Sequence, residues 1–195
     1  MNNLYIVNNY VEIPSNMELN IGGTSDYITF VGKMDYEPNI LAVEYFVKHI
    51  FINLLTEFPN LQFNIVGAKP SKSVYKLTKY NNVVVTGFVD SLLPYWINSK
   101  IIVAPMLTGS GIQNKILQAM AHQCCVMTTS IGAEGLDPNC GLTICNSISE
   151  WIKTITILLN NKDTRITCGK IARKYIIDNM SKEIVEKQFS KFLNY

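Results

Sequence analysis

Charge is scarce in this 195-residue sequence. Only 16% of residues are Asp, Glu, Lys or Arg, and 17 basic against 15 acidic side chains leave a formal net charge of +2. No run of lysine or arginine concentrates that charge, so the electrostatic footprint of a nucleic-acid-binding surface is missing. The five cysteines are odd in number and include no C-x-x-C pair, which implies neither a disulfide framework nor a zinc site. Reduced thiols in a cytoplasmic protein are the expectation. The two histidines, His49 and His122, stand alone and read as structural or solvated side chains. Long apolar runs are absent as well. The longest, Ile101 to Leu107, is interrupted by Pro105 and too short to cross a bilayer. The opening stretch MNNLYIVNNYVEI has no basic flank, so no signal peptide is expected.

What the sequence does hold is a hydrophobic content of 48%, ample for a packed core. Continuous apolar segments alternate with helical patterns. YITFV (27–31), LQFNIVG (61–67), NVVVTGFV (82–89), KIIVAPM (100–106), CVMTT (125–129) and LTIC (142–145) read as strands, and LYIVNN (4–9) as a short leading one. Between the first two of the six, Leu41, Tyr45, Phe46, Ile50, Leu54 and Phe58 recur at helical spacing and predict a helix over 39–57. Asp90 is the expected N-cap of a short helix through Asn98, and another helix is expected over 112–122. From Ser147 onward the chain reads as helix, broken near Asn160–Asn161 and Asn179. Strands without polar alternation, separated by helices, imply a parallel sheet covered on both faces. The expected fold is a Rossmann-like, doubly wound α/β domain. Its ligands bind beyond the carboxyl ends of the strands, and four of those ends carry glycine: Gly32, Gly67, Gly87 and Gly109–Gly111.

The segment TGSGIQNKILQAMA (108–121) is the most informative. A glycine-flanked serine runs directly into a helix, whose first N–H groups are unpaired and suit an anion. Asn114 stands where the dinucleotide fingerprint needs glycine, and no P-loop pattern occurs. Lys115 lies in the first helical turn, where a cation is disfavoured unless an anion arrives. Lys115 and Gln118, three residues apart, are expected on one face.

GSGIQNKILQAMA followed by CVMTTSIGAEGL resembles the nucleotide-binding signature of retaining glycosyltransferases of the GT-B fold, the family 4 type. The likeness spans most of the chain, with VNNYVEI (7–13) similar to an interdomain linker, ITFVGKMDYEPNILAVEYFVKHIF to the first strand and helix of the C-terminal domain, and FNIVGAKP and VVVTGFVDSLLPYW to its next two strands. The resemblance implies a single GT-B half-domain over 1–195, with a linker-like segment at 1–24 and C-terminal helices from 147 to 195. It implies a nucleoside-diphosphate sugar as ligand, and no separate cofactor or metal. Gly32 and Lys33 would lie beside the diphosphate. Gly109, Ser110, Gly111, Ile112 and Lys115 would form the diphosphate and sugar pocket, and Gly87, Phe88 and Val89 would line the base.

Departures from the family pattern are specific. Its signature pairs two acidic residues, and those positions are here Ser110 and Gln118, the second being the usual holder of the donor ribose. Gln123 replaces a helix-ending glycine, where a left-handed backbone would cost about 1 kcal/mol. An N-terminal acceptor domain of the GT-B kind is not among the matched blocks. It is expected in the same chain or as a separate partner, and the helix surface with Ile176, Ile177, Ile184, Val185, Phe189 and Phe192 is expected to pair with a partner or a second copy. A transferase half, a non-catalytic binding module and a degenerate remnant all remain compatible with the sequence.

Overall fold

The computed structural model describes residues 10–193. The proposed leading strand over 4–9 lies outside them. Six strands, β1 (Ser25–Val31), β2 (Gln62–Val66), β3 (Val83–Gly87), β4 (Ser99–Ala104), β5 (Val126–Thr128) and β6 (Thr143–Ile144), form one sheet in the order β3-β2-β1-β4-β5-β6. Every pairing is parallel, so each connection is a crossover carrying helix or turn. The chain winds outward to β3, returns to the centre at β4, then winds the other way. Helices flank the sheet, as the continuous apolar strands require: Ile28, Phe30, Phe63, Ile65, Ile101, Val126 and Met127 are fully buried.

The helix expected over 39–57 is interrupted. α1 (Glu37–Phe46) passes into a π-turn at Val47–Phe51 before the short α2 (Ile52–Leu54). The wider turn keeps Phe46, Val47, Ile50, Phe51 and Leu54 all in the core. Phe46 there meets Phe63 at 4.7 Å and the edge of Trp151 at 5.8 Å. α3 (Lys72–Tyr75) is a single turn. α4 (Leu93–Asn98) is not capped by Asp90; the Ser91 hydroxyl accepts the Leu93 N–H at 3.2 Å instead, because the helix starts two residues later than the pattern implied. α5 (Asn114–Ala121) also starts two residues later than expected.

Gln123 has φ of 62°, in the left-handed region. The strain is offset locally, since its side-chain amide donates to the Asn20 carbonyl at 3.1 Å. Asn20, buried, in turn donates to the Trp96 and Ser99 carbonyls at 2.8 and 2.7 Å and accepts the Gly22 and Gly23 N–H groups. The segment over 10–24 is thereby fastened to the domain.

The C-terminal chain forms α6 (Ile148–Asn160), α7 (Lys162–Met180) and α8 (Lys182–Leu193). α7 packs on α5, and its Arg165, buried, donates to the Gly22 carbonyl at 2.8 Å and to the Leu159 carbonyl at 3.1 Å. The apolar surface expected on this segment is smaller than its sequence suggests. Ile176 is fully buried and Val185 is 9% exposed, which leaves Ile177 and Phe189 among the exposed apolar side chains. The side chain of Phe192 lies outside the described residues. Among the described residues no helix is long and apolar enough to cross a membrane.

Candidate functional site

In a doubly wound sheet the crevice opens where strand order reverses, beyond the carboxyl ends of the two central strands. Here those strands are β1 and β4. Gly32 and Lys33 leave β1, residues 105–113 leave β4, and residues 129–136 leave β5 beside them. The sheet therefore brings together three segments that are far apart in sequence.

Lys115 crosses this junction. Its Nζ hydrogen-bonds Asn39 Oδ1, 76 residues away, and sits 4.8 Å from the centre of the Phe30 ring. Asn39, at the start of α1 and buried, donates its amide to the Lys33 carbonyl at 2.9 Å. An ammonium, an amide and the backbone after β1 thus form one chain of contacts. The Phe30 ring and the Asn39 oxygen supply negative potential, which offsets the unfavourable helix start. Burial still disfavours the charge and pulls the Lys115 pKa down to about 8. The Lys33 side chain points elsewhere, with its Nζ 3.4 Å from Asp35 and largely exposed.

The glycine turn ahead of α5 is exposed from Gly109 through Gly111, both glycines having positive φ (128° and 73°). Gln113, the N-cap, offers no side-chain oxygen to the helix start. The N–H groups of Asn114 and Lys115 therefore remain available to an outside acceptor, while that of Ile116 closes on the Gln113 carbonyl at 2.9 Å. Ile112 packs partly against the core and anchors the turn. Ser110 is exposed.

Gln118 does not share the surroundings of Lys115. It is exposed and lines a cavity of about 690 Å³ with Tyr10, Leu92, Trp96, Asn114 and His122. His122 stacks on Trp96 at 6.2 Å and places Nδ1 3.0 Å from the Glu18 carbonyl, a structural role. At the end of β3, Gly87 accepts the Gly67 N–H at 3.2 Å, Phe88 is 75% exposed and Val89 packs partly against the core. This corner is separated from β1 by β2, so Gly87–Val89 and Lys115 are at different stations along the sheet edge.

Two residues of this region fall inside the blocks that carry the resemblance, yet nothing in those blocks gave either a role. Asn39 reads in the sequence as a polar position of an amphipathic helix. Glu134 reads as a turn residue, yet its Oε2 accepts the Gly111 N–H at 3.0 Å. The signal that could have found it is its place in CVMTTSIGAEGL, where it is the one carboxylate of the block.

Residues 25–161 match the family described as "Glycosyl transferases group 1". An uncharacterized 44.6 kDa protein in the cps region of Klebsiella pneumoniae is 27% identical over 130 residues, covering 61% of this chain and 33% of its own. Among solved structures, a variant of S. aureus TarM in complex with fondaparinux, alpha-GlcNAc-glycerol and UDP superposes with a TM-score of 0.78 at 17% identity, over 100% of this chain and 40% of that one. Anabaena Alr3699/HepE in complex with UDP and glucose superposes with a TM-score of 0.71 at 12% identity, over 96% and 56%. The chain thus spans about a third to a half of the length of the proteins it matches.

Proposed function

The chain belongs to the glycosyl transferases group 1 family, and from that premise we propose that it binds the nucleoside-diphosphate sugar from which a sugar is transferred, with retention, to an acceptor. The observation that carries this reading is Lys115, an ammonium held half-buried at the strand-order reversal beside the open start of α5. When the bond between the sugar and the diphosphate breaks, the electron pair leaves with the diphosphate oxygen. Lys115 and the N–H groups of Gly109, Ser110, Asn114 and Lys115 would stabilise that charge by fixed dipoles and a fixed cation. The base would lie at Gly87–Val89, with Phe88 as an exposed aromatic face, and the diphosphate beside Gly32 and Lys33. The related structures whose names mention UDP support this ligand class. Since those chains are about twice as long, acceptor binding is assigned to a second domain, in the same chain or as a partner, with this chain as the C-terminal half of a GT-B enzyme.

Titration of the 195-residue chain with uridine and guanosine diphosphates, followed by amide shift mapping, tests the reading. Shifts are expected at Gly109–Gly111, Lys115 and Lys33. Shifts confined to other regions, or none at millimolar ligand, would overturn it.

The pH dependence has a defined sign. Free Lys115 is charged below its pKa of about 8 and neutral above it. An arriving anion favours the charged form, so binding raises that pKa and takes up protons. Affinity for a nucleoside-diphosphate sugar should hold steady up to about pH 7 and fall through pH 8 and 9. Calorimetry with a nucleoside-diphosphate sugar, whose phosphates do not titrate in this range, in buffers of different ionisation heat reads the Lys115 proton directly, with uptake expected near pH 8.5 and about none near pH 6.5.

Gln118 offers a second test. A carboxylate accepts two ribose hydroxyls with charge-assisted bonds, while an amide offers one neutral oxygen. Gln118→Glu should tighten nucleoside-diphosphate binding by about 1 kcal/mol, roughly fivefold. Inorganic pyrophosphate, which has no ribose, should be indifferent to the change. Equal nucleotide affinity for variant and wild type would place the ribose elsewhere.

A further inference from the structure

Glu134 is exposed, but the loop that carries it is pinned from several sides. The Thr129 hydroxyl donates to the Met106 carbonyl at 2.6 Å and accepts the Gly132 N–H at 3.2 Å. The Ala133 N–H donates to the Thr129 carbonyl at 3.0 Å. A Cβ on Gly132 would fall 2.1 Å from the Thr128 hydroxyl at the end of β5 and 3.4 Å from the Ala104 carbonyl oxygen at the end of β4, so the loop lies directly on both strand ends. Its carboxylate reaches the Gly111 N–H with one oxygen. The other oxygen has no hydrogen-bond partner among the described residues.

Strand order decides which part of a linear ligand this carboxylate meets. The β3 end with Gly87–Val89 lies on one side of the β1–β4 junction, and the β5 end with Glu134 lies on the other. A nucleoside-diphosphate sugar runs base, ribose, diphosphate, sugar. With the base at the β3 end and the diphosphate on the glycine turn, the sugar falls to the β5 side.

We propose that Glu134 recognises the donor sugar, its carboxylate accepting hydrogen bonds from neighbouring sugar hydroxyls. The inference rests on the donor-binding reading above. The chemistry is selective: two carboxylate oxygens match a pair of adjacent hydroxyls, whereas beside a bare diphosphate the same charge only repels. Glu134 is thus a specificity residue for the sugar and adds nothing to diphosphate affinity.

Calorimetric titration of wild type, Glu134→Gln and Glu134→Ala tests this, using uridine and guanosine diphosphates beside UDP-glucose and GDP-mannose. Both variants should bind the bare diphosphate as well as wild type or better. Both should bind its sugar conjugate about tenfold more weakly, the scale of one or two charge-assisted contacts. Equal losses for diphosphate and conjugate would mean that the side chain merely holds the turn, and would overturn the proposal. Unchanged affinity for the conjugates, or no conjugate bound by the wild type, would overturn it too. A wild type that binds no diphosphate at all would remove the donor-binding reading first, and this inference with it.

Discussion

Replacing Lys115 with methionine is expected to weaken nucleoside-diphosphate binding by about 10- to 100-fold, the scale of a lost charge-assisted contact at a partly buried site. The same replacement is expected to make the free protein more stable. Folding moves the Lys115 pKa from 10.5 to about 8, so the native state binds fewer protons than the unfolded one between those values. Stability therefore rises with pH across that window, and below it the protein carries the full cost of holding a charge out of water. Methionine removes that cost while its thioether keeps length and contact with the Phe30 ring. Some of the gain is returned through the lost contacts of the ammonium with Asn39 and Phe30. A net gain of about 1 kcal/mol should remain, which is about 2–4 °C in Tm for a domain of this size. Thermal denaturation at pH 7 and calorimetric titration measure the two effects together. Opposite signs identify Lys115 as a group maintained for its ligand. A variant that loses both binding and stability would show that the lysine is part of the scaffold.

Gly67→Ala is expected to cost more than about 3 kcal/mol, and to leave little folded protein where the total stability is only about 5–15 kcal/mol. Gly67 has φ of 147°, and a Cβ there would lie 1.8 Å from the Gly32 carbonyl oxygen. The neighbouring backbone cannot give way cheaply. The Gly32 N–H donates to Val66 at 3.0 Å and the Gly67 N–H donates to Gly87 at 3.2 Å, so the ends of β1, β2 and β3 are laced together at this point. Gly111→Ala provides the contrast. Gly111 also has positive φ, at 73°, but an added Cβ would have no atom within 4 Å. Its cost is the backbone preference alone, about 1 kcal/mol. Urea denaturation of the two variants should separate them clearly; similar losses would mean that crowding at Gly67 is relieved by a shift of β1 against β2.

The sequence alone determined the local half of this protein. Six apolar segments, their helical spacers and the glycine turn ahead of α5 were each legible within a window of some ten residues, because burial on both faces and helical period leave marks at that range. Even the left-handed backbone at Gln123 was legible, from a helix that had to end without glycine. The parallel order of the sheet followed from the alternation of strand and helix. What only the tertiary structure decided is where long side chains go. Lys115 and Gln118 are three apart on α5, yet one reaches Asn39 and Phe30 across the strand-order reversal and the other faces Trp96 and Tyr10. Ile176 and Ile177 read alike in sequence, and only the packing of α7 buries one and exposes the other. Asn39 and Glu134 enter the site through bonds spanning 76 and 23 residues. Periodicity and capping rules describe a chain and its near neighbours, whereas a site at a sheet switch point is assembled from strand ends that meet only after the crossovers close, and no local pattern records which side chains will then face each other.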